Sequence, residues 1–251
     1  MSDLRLHRRL LLTAGSGVLG VTVLNTLTGC TKADPAPAGS TAPSAGATPS
    51  ATGATVTGDW RRVDLSFVSV YLLIRGGEVA VVDTGTAGSA TSVEDVLRTA
   101  GLGWAAVKHV ILTHQHQDHA GGLAEIAPLV GATLYAGTDD VTAIGEPGGR
   151  KLRAVKDGDE VFGLQIVGTP GHTLGHVSIF EPATGVLVAG DALRNLDGLQ
   201  GSAPEYTSDQ GKAAASVKRM AALDVTAILP GHGDPLTTGA KEALQKLAAS
   251  L

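Results

Sequence analysis

Apolar and polar positions divide residues 59–251 into short strands and longer helices. Strands are predicted where apolar residues run or alternate between turn residues, and helices where they recur with a helical period. The predicted strands are 67–74, 79–82, 109–112, 133–135, 164–167, 177–180, 186–188 and 227–229. The predicted helices are 93–100, with a capping box of Ser92 and Asp95 and a stop at Gly101, 121–126, 208–223 and 238–249. Gly76-Gly77 and Ala183-Thr184-Gly185 indicate hairpins. This order predicts an α/β fold of two mixed sheets with helices outside.

The N-terminal segment has the composition of an export signal. Arg5, Arg8 and Arg9 precede an uncharged stretch, residues 10–31, which glycines interrupt. Such a charged start and apolar middle are typical of a signal peptide, here residues 1–29, and the adjacent Arg8-Arg9 pair indicates the twin-arginine type.

Leu27-Thr28-Gly29-Cys30 closes that stretch and resembles the lipobox of bacterial lipoproteins, in which the cysteine is lipidated. Cys30 is the only cysteine in the chain, so it cannot form an internal disulfide. We expect an exported lipoprotein on the outer side of the cytoplasmic membrane, which contacts the membrane only through its N-terminal lipid. An unlipidated secreted protein and an uncleaved membrane anchor are the alternatives. Residues 30–58, rich in Ala, Pro, Gly, Ser and Thr, are expected to be a disordered linker before a domain at 59–251.

The net charge of the domain indicates which classes of partner it can bind. Without the three Arg and one Asp of residues 1–29, the 19 Lys and Arg and 24 Asp and Glu fall to 16 and 23, a formal net charge of −7. A nucleic-acid-binding domain would normally carry a basic stripe, whereas this charge repels polyanions. We therefore expect a small-molecule substrate and no nucleic acid.

One short stretch, residues 113–119, concentrates side chains that bind transition metals. Histidine is scarce, with 8 of 251 residues, yet three lie here beside an aspartate. Three later segments repeat one design, in which an apolar run and a small residue precede a metal-type side chain, as expected for buried strands that present a ligand at the tip. The seven candidate ligands are His114, His116, Asp118, His119, His172, Asp191 and His232.

Spacing assigns some of these side chains to one ion. His114 and His116 are two apart on an extended segment and point the same way, so they can share an ion that His172 completes. Asp191 is the natural bridge to a second ion, because a carboxylate has two oxygens.

Asp118 and His119 turn toward the second ion, which His232 would complete. Five His and two Asp without Cys in the domain match zinc, with two ions per chain, although iron and manganese stay open. Structural zinc sites are usually closed and rich in Cys, so an open reaction site is favoured.

These motifs resemble those of the metallo-β-lactamase-fold hydrolases, on the glyoxalase II and lactonase side of that family. The matching segments are His114-x-His116-x-Asp118-His119, Gly171-His172, Gly190-Asp191, Gly231-His232 and Val82-Asp83-Thr84-Gly85, within residues 60–236. The resemblance implies an αββα four-layer sandwich and a hydroxide that bridges two zinc ions and attacks a carbonyl group. Asp118 would also orient that hydroxide, and Asp83 would support the ligand loop.

Differences between this sequence and better-known branches of the family narrow the expected class of substrate. One group of true β-lactamases places a Cys in its second metal site and another lacks the bridging Asp, whereas this domain has no Cys and keeps Asp191. Glyoxalase II enzymes carry a helical glutathione domain, and 19 residues follow His232 here. We expect a small neutral or weakly polar ester, thioester or lactone to be preferred over β-lactams, since the acidic domain repels anions.

Four further residues have predicted roles. His176 matches a second family His, and we expect it to be hydrogen-bonded rather than a ligand; His109, inside an apolar strand, is expected to be structural. Tyr206 is a candidate donor to an oxyanion or leaving group, although its spacing from Asp191 differs from that in lactonases. Arg194 is a candidate contact for an anionic substrate, but we expect a surface salt bridge instead.

Three functions fit this sequence. The first is a binuclear zinc hydrolase of small carbonyl compounds, and within it a true metallo-β-lactamase stays possible. The second is a mononuclear iron persulfide dioxygenase, which shares the fold and much of the ligand set. The third is a non-catalytic metal-binding surface protein. The sequence gives neither the exact substrate nor the oligomeric state.

Overall fold

The computed structural model describes residues 53–251, which form two mixed β-sheets. The first sheet contains, in spatial order, β1 (Thr55–Thr57), β2 (Trp60–Asp64), β3 (Ser69–Arg75), β4 (Glu78–Val82), β5 (Val107–Leu112), β6 (Thr133–Gly137) and β7 (Arg153–Val155). The second contains β8 (Glu160–Val161), β9 (Leu164–Gly168), β10 (Val177–Glu181), β11 (Val186–Asn195) and β12 (Leu199–Gly201), with β13 (Ala227–Gly233) paired to β11. The helices are α1 (Ala90–Thr99), α2 (Gln117–Ala120), α3 (Leu123–Ile126), α4 (Val141–Ile144), α5 (Gln210–Met220) and α6 (Ala240–Ala249).

Strand direction changes within each sheet. Strands β2, β3 and β4 are antiparallel neighbours, whereas β4 to β7 pair in parallel. Gly76 and Gly77 form the turn between β3 and β4 with φ of 56° and 84°, as a two-residue hairpin of the primed type requires. In the second sheet β11 pairs antiparallel with β10 and parallel with β13. The parallel strands carry their C-terminal ends to one edge of the molecule, where loops can hold a site.

Alternation along β3 supplies two layers of core from one strand. Val70 and Leu72 pack on the outer face against α1 and α3, whereas Tyr71 and Leu73 pack between the two sheets. Successive side chains of a strand point to opposite faces, so an uninterrupted apolar run is needed where both faces are covered. This explains why β3 is apolar at every central position.

The second sheet repeats the arrangement. Val186 and Val188 of β11 face the first sheet, and Leu187 faces a cluster formed with Val217 of α5 and Leu244 of α6. Helices therefore cover both outer faces, and the layers follow the order α, β, β, α. The predicted fold class is confirmed.

Several sequence-based boundaries shift in the structure. The predicted capping box is wrong: α1 begins at Ala90, and the Asp95 carboxylate accepts a hydrogen bond from Arg98 at 3.0 Å. The stop is confirmed, because Gly101 has a φ of 74° and its N–H donates to the Arg98 carbonyl at 2.9 Å. The pattern missed β1, β2, β7, β8, β12, α2 and α4, since most of these elements are too short to show a period.

Strand β1 lies before residue 59, where the domain was expected to begin. Residues 55–57, predicted to be linker, form β1 and pair with β2, and the N–H of Gly53 donates to the Arg62 carbonyl at 2.7 Å. The fold therefore begins before residue 59. The predicted signal peptide, Cys30 and the linker up to residue 52 lie outside the described residues. In the described part of the chain, no helix has the length and apolar character needed to span a membrane.

Candidate metal centre

The seven candidate ligands meet at one edge of the two sheets. Their donor atoms form three overlapping groups, each tight enough to hold an ion: His114, His116 and His172; His114, His119 and Asp191; and Asp118, His119 and His232. They come from five segments of the chain: the loop after β5, helix α2, the loop between β9 and β10, and strands β11 and β13.

The loop after β5 and helix α2 supply four of the seven. His116 stands at the N-cap of α2 in an extended conformation, with φ of −67° and ψ of 149°. The chain then turns into the helix, which places Asp118 and His119 in its first turn. Because the conformation changes at residue 117, His114 and His116 face one part of the centre, whereas Asp118 and His119 face another part.

Three imidazoles form the first part of the centre. His116 Nδ1 lies 3.1 Å from His114 Nε2 and 2.9 Å from His172 Nε2. His114 and His172 are buried, whereas His116 is half-buried. These are the three side chains predicted to share one ion.

The second part joins Asp118, His119 and His232. His232 Nε2 lies 3.4 Å from His119 Nε2 and 3.3 Å from Asp118 Oδ2. Asp118 Oδ2 is 3.7 Å from His119 Nε2. This group matches the set predicted for the second ion.

Asp191 lies between the two groups. Its Oδ2 is 3.4 Å from His172 Nε2 and 3.2 Å from His232 Nε2, and its Oδ1 is 3.1 Å from His119 Nε2. One carboxylate therefore contacts members of both groups, as a bridging ligand must.

The expectation that each strand ends at its ligand is wrong for two of the three segments. Strand β11 continues through Asp191 to Asn195, and β13 continues through His232 to Gly233. Instead, β11 is irregular at Gly190, which has a φ of 53° and no room for a side chain, since an added Cβ would lie 2.7 Å from Thr113 Cβ. A local bend in a continuous strand presents Asp191, so no strand end is required.

Hydrogen bonds from the far side of each ring fix which nitrogen faces the centre. Thr113 Oγ1 donates to the Asp83 carboxylate at 2.9 Å, so it accepts from His114 Nδ1 at 3.0 Å. Asp83 Oδ2 also accepts from His119 Nδ1 at 2.8 Å. The Nε2 lone pairs of His114 and His119 are therefore available to a cation, as outer hydrogen bonds usually arrange for ligating histidines.

The other two rings are held by residues that the sequence did not indicate. His232 Nδ1 donates to the Phe67 carbonyl at 2.6 Å, across the sheets. His172 Nδ1 lies 2.9 Å from Ser202 Oγ, which accepts from Thr207 Oγ1 at 2.9 Å. Neither contact has a sequence signal, because each joins a loop residue to a histidine far away in the chain.

Burial and nearby charges shift the pKa values of the histidines in different directions. Burial lowers the pKa of His114 well below its usual value and that of His172 to about 4, so both rings are neutral at pH 7. For His119 and His232 burial also acts to lower the pKa, but carboxylates outweigh it. Asp191 and Asp83 raise the pKa of His119 well above its usual value, and Asp118 and Asp191 raise that of His232 to about 10.

Both carboxylates of the centre are ionised at neutral pH. Burial would raise their pKa values, but neighbouring histidines lower that of Asp118 below its usual value and that of Asp191 well below it. The field of the centre thus favours positive charge, which is the electrostatic condition for binding a cation.

The donor set fits metal ions. Asp191 Oδ1 is buried without a hydrogen-bond partner although His119 Nε2 is 3.1 Å away. Since the pKa of His119 is raised, a proton on Nε2 neutralises this contact when no cation is bound, and a metal ion would replace that proton and be coordinated by both atoms. Zinc–nitrogen bonds of 2.0–2.1 Å place ligand atoms of a tetrahedral site about 3.3 Å apart. The separations of 2.9–3.7 Å observed here match that geometry.

His176 lies beside the centre but in none of the three groups. Its Nε2 accepts from the N–H of Asp191 at 3.0 Å, and its Nδ1 is 2.8 Å from Thr169 Oγ1. Burial lowers its pKa to about 3, so the ring is neutral. His109 lies away from the centre, 3.4 Å from the Tyr135 hydroxyl.

Asp140 is a buried residue near the centre that sequence reasoning missed. It precedes α4, and its carboxylate accepts from the N–H of Gln115 at 3.0 Å, the Thr173 hydroxyl at 2.6 Å and the N–H of Gly175 at 2.9 Å. These donors belong to the two loops that carry His114, His116 and His172. Asp140 therefore ties the loops together.

A cavity of about 630 Å³ opens onto the centre at Asp191 and His232. Tyr206 and Arg194 also line it. Tyr206 is exposed, and Arg194 takes part in no ion pair among the described residues, so the surface salt bridge considered for it does not occur there.

Comparisons with known proteins agree with this geometry. The family model described as "Metallo-beta-lactamase superfamily" matches residues 63–232. A hydroxyacylglutathione hydrolase of Dechloromonas aromatica is 32% identical over 159 residues, covering 61% of this chain and 53% of that protein. Metallo-beta-lactamase domain-containing protein 1 of Xenopus laevis is 37% identical over 172 residues, covering 65% of this chain and 70% of that protein. The crystal structure of BJP-1, a subclass B3 metallo-beta-lactamase of Bradyrhizobium japonicum, superposes with a TM-score of 0.60 at 26% identity, covering 77% and 88% of the two chains. The chain spans about half the length of the hydroxyacylglutathione hydrolases it matches.

Proposed function

Because the chain belongs to the metallo-beta-lactamase superfamily, we propose that it is a zinc-dependent hydrolase that binds two ions and cleaves a small ester, thioester, lactone or amide. The observation that carries the proposal is the convergence of seven donor side chains at the mouth of a cavity large enough for a small molecule. Zinc ions bound there would supply an ionised water at neutral pH and polarise the substrate carbonyl.

His114, His116 and His172 would hold one ion, and Asp118, His119 and His232 the other, with Asp191 between them. Four of the imidazoles have a partner on the outer nitrogen, which turns the other nitrogen toward the centre: His114, His119, His172 and His232. Little rearrangement is needed on binding, because hydrogen bonds already orient His114, His119 and His232.

Asp118 is the carboxylate best placed to accept a proton from water and to donate it to the leaving group. Its side chain is 30% exposed, against 11% for Asp191 and 3% for Asp83, so it can meet both water and substrate. Its lowered pKa keeps it ionised at neutral pH and able to accept a proton from the attacking water. The same carboxyl can then return the proton to the leaving group, so that water adds across the cleaved bond.

Tyr206 is the residue that we propose contacts the reacting group of the substrate. Its exposed ring lines the cavity in the loop after β12, and its hydroxyl would donate a hydrogen bond to the developing oxyanion or the leaving group. Tyr206→Phe would then lower kcat more than it raises KM.

Metal analysis and a substrate panel test the hydrolase proposal. The full chain, loaded with zinc and freed of excess metal, should retain two equivalents and hydrolyse at least one member of a panel of lactones, thioesters, aryl esters and β-lactams. A stoichiometry of one under excess zinc, or no turnover of any member, contradicts the proposal. Retention of a single iron, with oxygen consumed in the presence of a persulfide, identifies the dioxygenase alternative instead.

Cleavage of β-lactams is the second candidate function. The likeness to a solved subclass B3 enzyme, over 77% of this chain, favours it. Comparing kcat/KM for benzylpenicillin and a carbapenem with the values for lactones and thioesters, in one zinc-loaded preparation, decides between the two.

We also propose that the chain is exported and held at the membrane through lipidated Cys30. The proposal rests on the N-terminal charge pattern and the lipobox-like Leu27-Thr28-Gly29-Cys30. A lipid at residue 30 would keep the catalytic domain outside the cytoplasm and next to the membrane surface.

A further inference from the structure

The segment that carries Tyr206 is hydrogen-bonded at both of its ends to His172. At its start, Ser202 Oγ lies 2.9 Å from His172 Nδ1. At its end, the N–H and the hydroxyl of Ser208 donate to the His172 carbonyl, at 3.1 Å and 3.0 Å. One candidate metal ligand is therefore the anchor for both ends of residues 202–208.

Between these anchors the segment projects from the protein. Pro204–Tyr206 form a single turn of 3₁₀ helix, and all three side chains are exposed. Exposed side chains contribute little packing, so the hydrogen bonds at the two ends of the segment largely set the position of this turn. The Tyr206 ring lines the cavity at the candidate centre. Its place in the cavity thus depends on how the segment is anchored to His172.

The hydrogen bond at the start of the segment also decides how the His172 ring faces the centre. A neutral imidazole can bind a cation through Nε2 only when the proton is on Nδ1, which then donates a hydrogen bond. Ser202 Oγ is the acceptor that lies beside Nδ1. A hydroxyl oxygen has two lone pairs, so Ser202 can accept from His172 and from the Thr207 hydroxyl, 2.9 Å away, at the same time.

The orientation of this ring matters for the rest of the centre. His172 Nε2 lies 2.9 Å from His116 Nδ1 and 3.4 Å from Asp191 Oδ2. A proton on Nε2, or a rotation of the ring, would remove His172 from this set of donors. A partner that holds the proton on Nδ1 therefore keeps the set together.

We propose that Ser202 is a positioning residue of the candidate metal centre. It holds His172 Nε2 toward the ion that His114, His116 and His172 would share, and it thereby couples that ion to the segment that carries Tyr206. Binding of the ion should hold the segment at the cavity, and by linkage an ordered segment should favour binding of the ion. This role depends on the proposed function for the presence of metal, but it does not depend on hydrolysis.

The zinc affinity of the full chain tests the effect on the ring. Competition with a chromophoric chelator gives a dissociation constant for each of two zinc equivalents. Ser202→Ala should weaken one of them about 10–100-fold, the usual effect of losing a partner that orients a metal ligand, and should change the other much less. Ser202→Thr keeps the hydroxyl, so it should restore most of the lost affinity.

Ser216→Ala is the matched control. Ser216 Oγ donates to the Pro170 carbonyl at 2.7 Å, so this variant also removes a serine hydroxyl that binds the loop of His172. The bond that it removes ends on the backbone, however, and not on a ligand ring. Ser216→Ala should lower the midpoint of thermal unfolding and leave both zinc dissociation constants unchanged. The two alanine variants together separate orientation of the ring from support of the loop.

Hydrogen exchange tests the coupling between the ion and the segment. The N–H of Ser208 donates to the His172 carbonyl, so its exchange reports whether the end of the segment is anchored. In the wild type, saturation with zinc should slow exchange in a peptide that covers residues 202–208 at least about fivefold, the lower end of the usual coupling between two sites. At saturating zinc this slowing should be smaller in Ser202→Ala and unchanged in Ser216→Ala.

Equal zinc dissociation constants in the wild type and in Ser202→Ala overturn the inference, and so does an equal loss of affinity in Ser202→Ala and Ser216→Ala. Lack of recovery in Ser202→Thr, or exchange in the wild type that zinc does not slow, also counts against it. A wild type that retains no zinc contradicts both this role and the proposed function. If the differences between the variants hold but no member of the substrate panel is hydrolysed, the proposed function alone is contradicted.

Discussion

Asp83 Oδ2 accepts a hydrogen bond from His119 Nδ1 at 2.8 Å, and both side chains are buried. The same carboxylate accepts from the N–H and the hydroxyl of Thr113, at 2.7 Å and 2.9 Å, directly before His114. One carboxylate at the end of β4 thus orients a histidine of each proposed ion. Asp83 has a φ of 66°, a conformation unusual for a residue other than Gly, and these three bonds hold it there.

Asp83→Asn should weaken zinc binding about 10–100-fold, the usual cost of losing a partner that orients a metal ligand. The amide nitrogen would face a donor, so one hydrogen bond of the set is lost. Competition with a chromophoric chelator measures the change. Asp95→Asn on the exposed face of α1 is the control, and zinc affinity equal to that of the wild type in Asp83→Asn would contradict the assigned role.

Asp118→Asn should lower kcat by at least about 100-fold, because it removes both a proton acceptor and a proposed ligand. His176→Ala should act mainly on stability, since His176 accepts from the Asp191 N–H and is buried. Kinetics, zinc content and thermal unfolding are compared for the two variants. Equal losses of activity with the fold and metal content intact would refute this division of roles.

Asp140→Ala should destabilise the fold by several kcal/mol, since three donors, two of them buried and one partly buried, lose their acceptor at about 1–3 kcal/mol for each buried group. It should also weaken zinc binding, because Asp140 joins the loops that carry His116 and His172. Urea unfolding and chelator competition measure the two effects. The neighbouring Asp139 is exposed, so Asp139→Ala should change neither, and a similar response in both variants would count against the loop-joining role.

Glu181 should make the fold sensitive to acid. Burial raises the pKa of its carboxyl, but hydrogen bonds from Thr184 and Trp60, at 2.6 Å and 2.7 Å, and the ion pair with Arg75 lower it below the usual value. A carboxyl whose pKa is lower in the folded state stabilises the fold above its unfolded pKa, and this stability is lost as the pH falls through the folded pKa.

Glu181→Gln should therefore reduce the free energy of unfolding at pH 7, and the difference from the wild type should shrink as the pH falls below the ordinary glutamate pKa of about 4.3. Urea midpoints measured across this range test the expectation. Glu160→Gln, at an exposed position of β8, serves as control. A difference between wild type and Glu181→Gln that does not change with pH would argue against it.

Cys30→Ser should release the protein from the membrane fraction without altering kcat/KM, because the catalytic groups lie beyond residue 82. Fractionation of cells that express the full chain, with mass analysis of the mature N-terminus, measures this. Soluble wild-type protein with an unmodified thiol would contradict the lipoprotein proposal.

The sequence alone was sufficient to predict the layers and the candidate ligands. The apolar runs along β3 and β11 place hydrophobic side chains on both faces of each strand. Both faces must therefore be buried, so the runs predict a buried sheet independently of the loops. The ligands were detectable because His114, His116, Asp118 and His119 are close in the chain, and because a small residue and an apolar run mark each of the others.

Only the tertiary structure decided how those ligands are held and what else faces them. Ser202 meets His172, Phe67 meets His232, and Asp140 meets Gln115 across gaps of 30, 165 and 25 residues. Such contacts depend on where loops come together in space, and loop residues carry no periodic signal. The same holds for Arg194, which takes part in no ion pair among the described residues although acidic side chains line the same cavity. The local composition of the chain does not encode which of these side chains pair with each other.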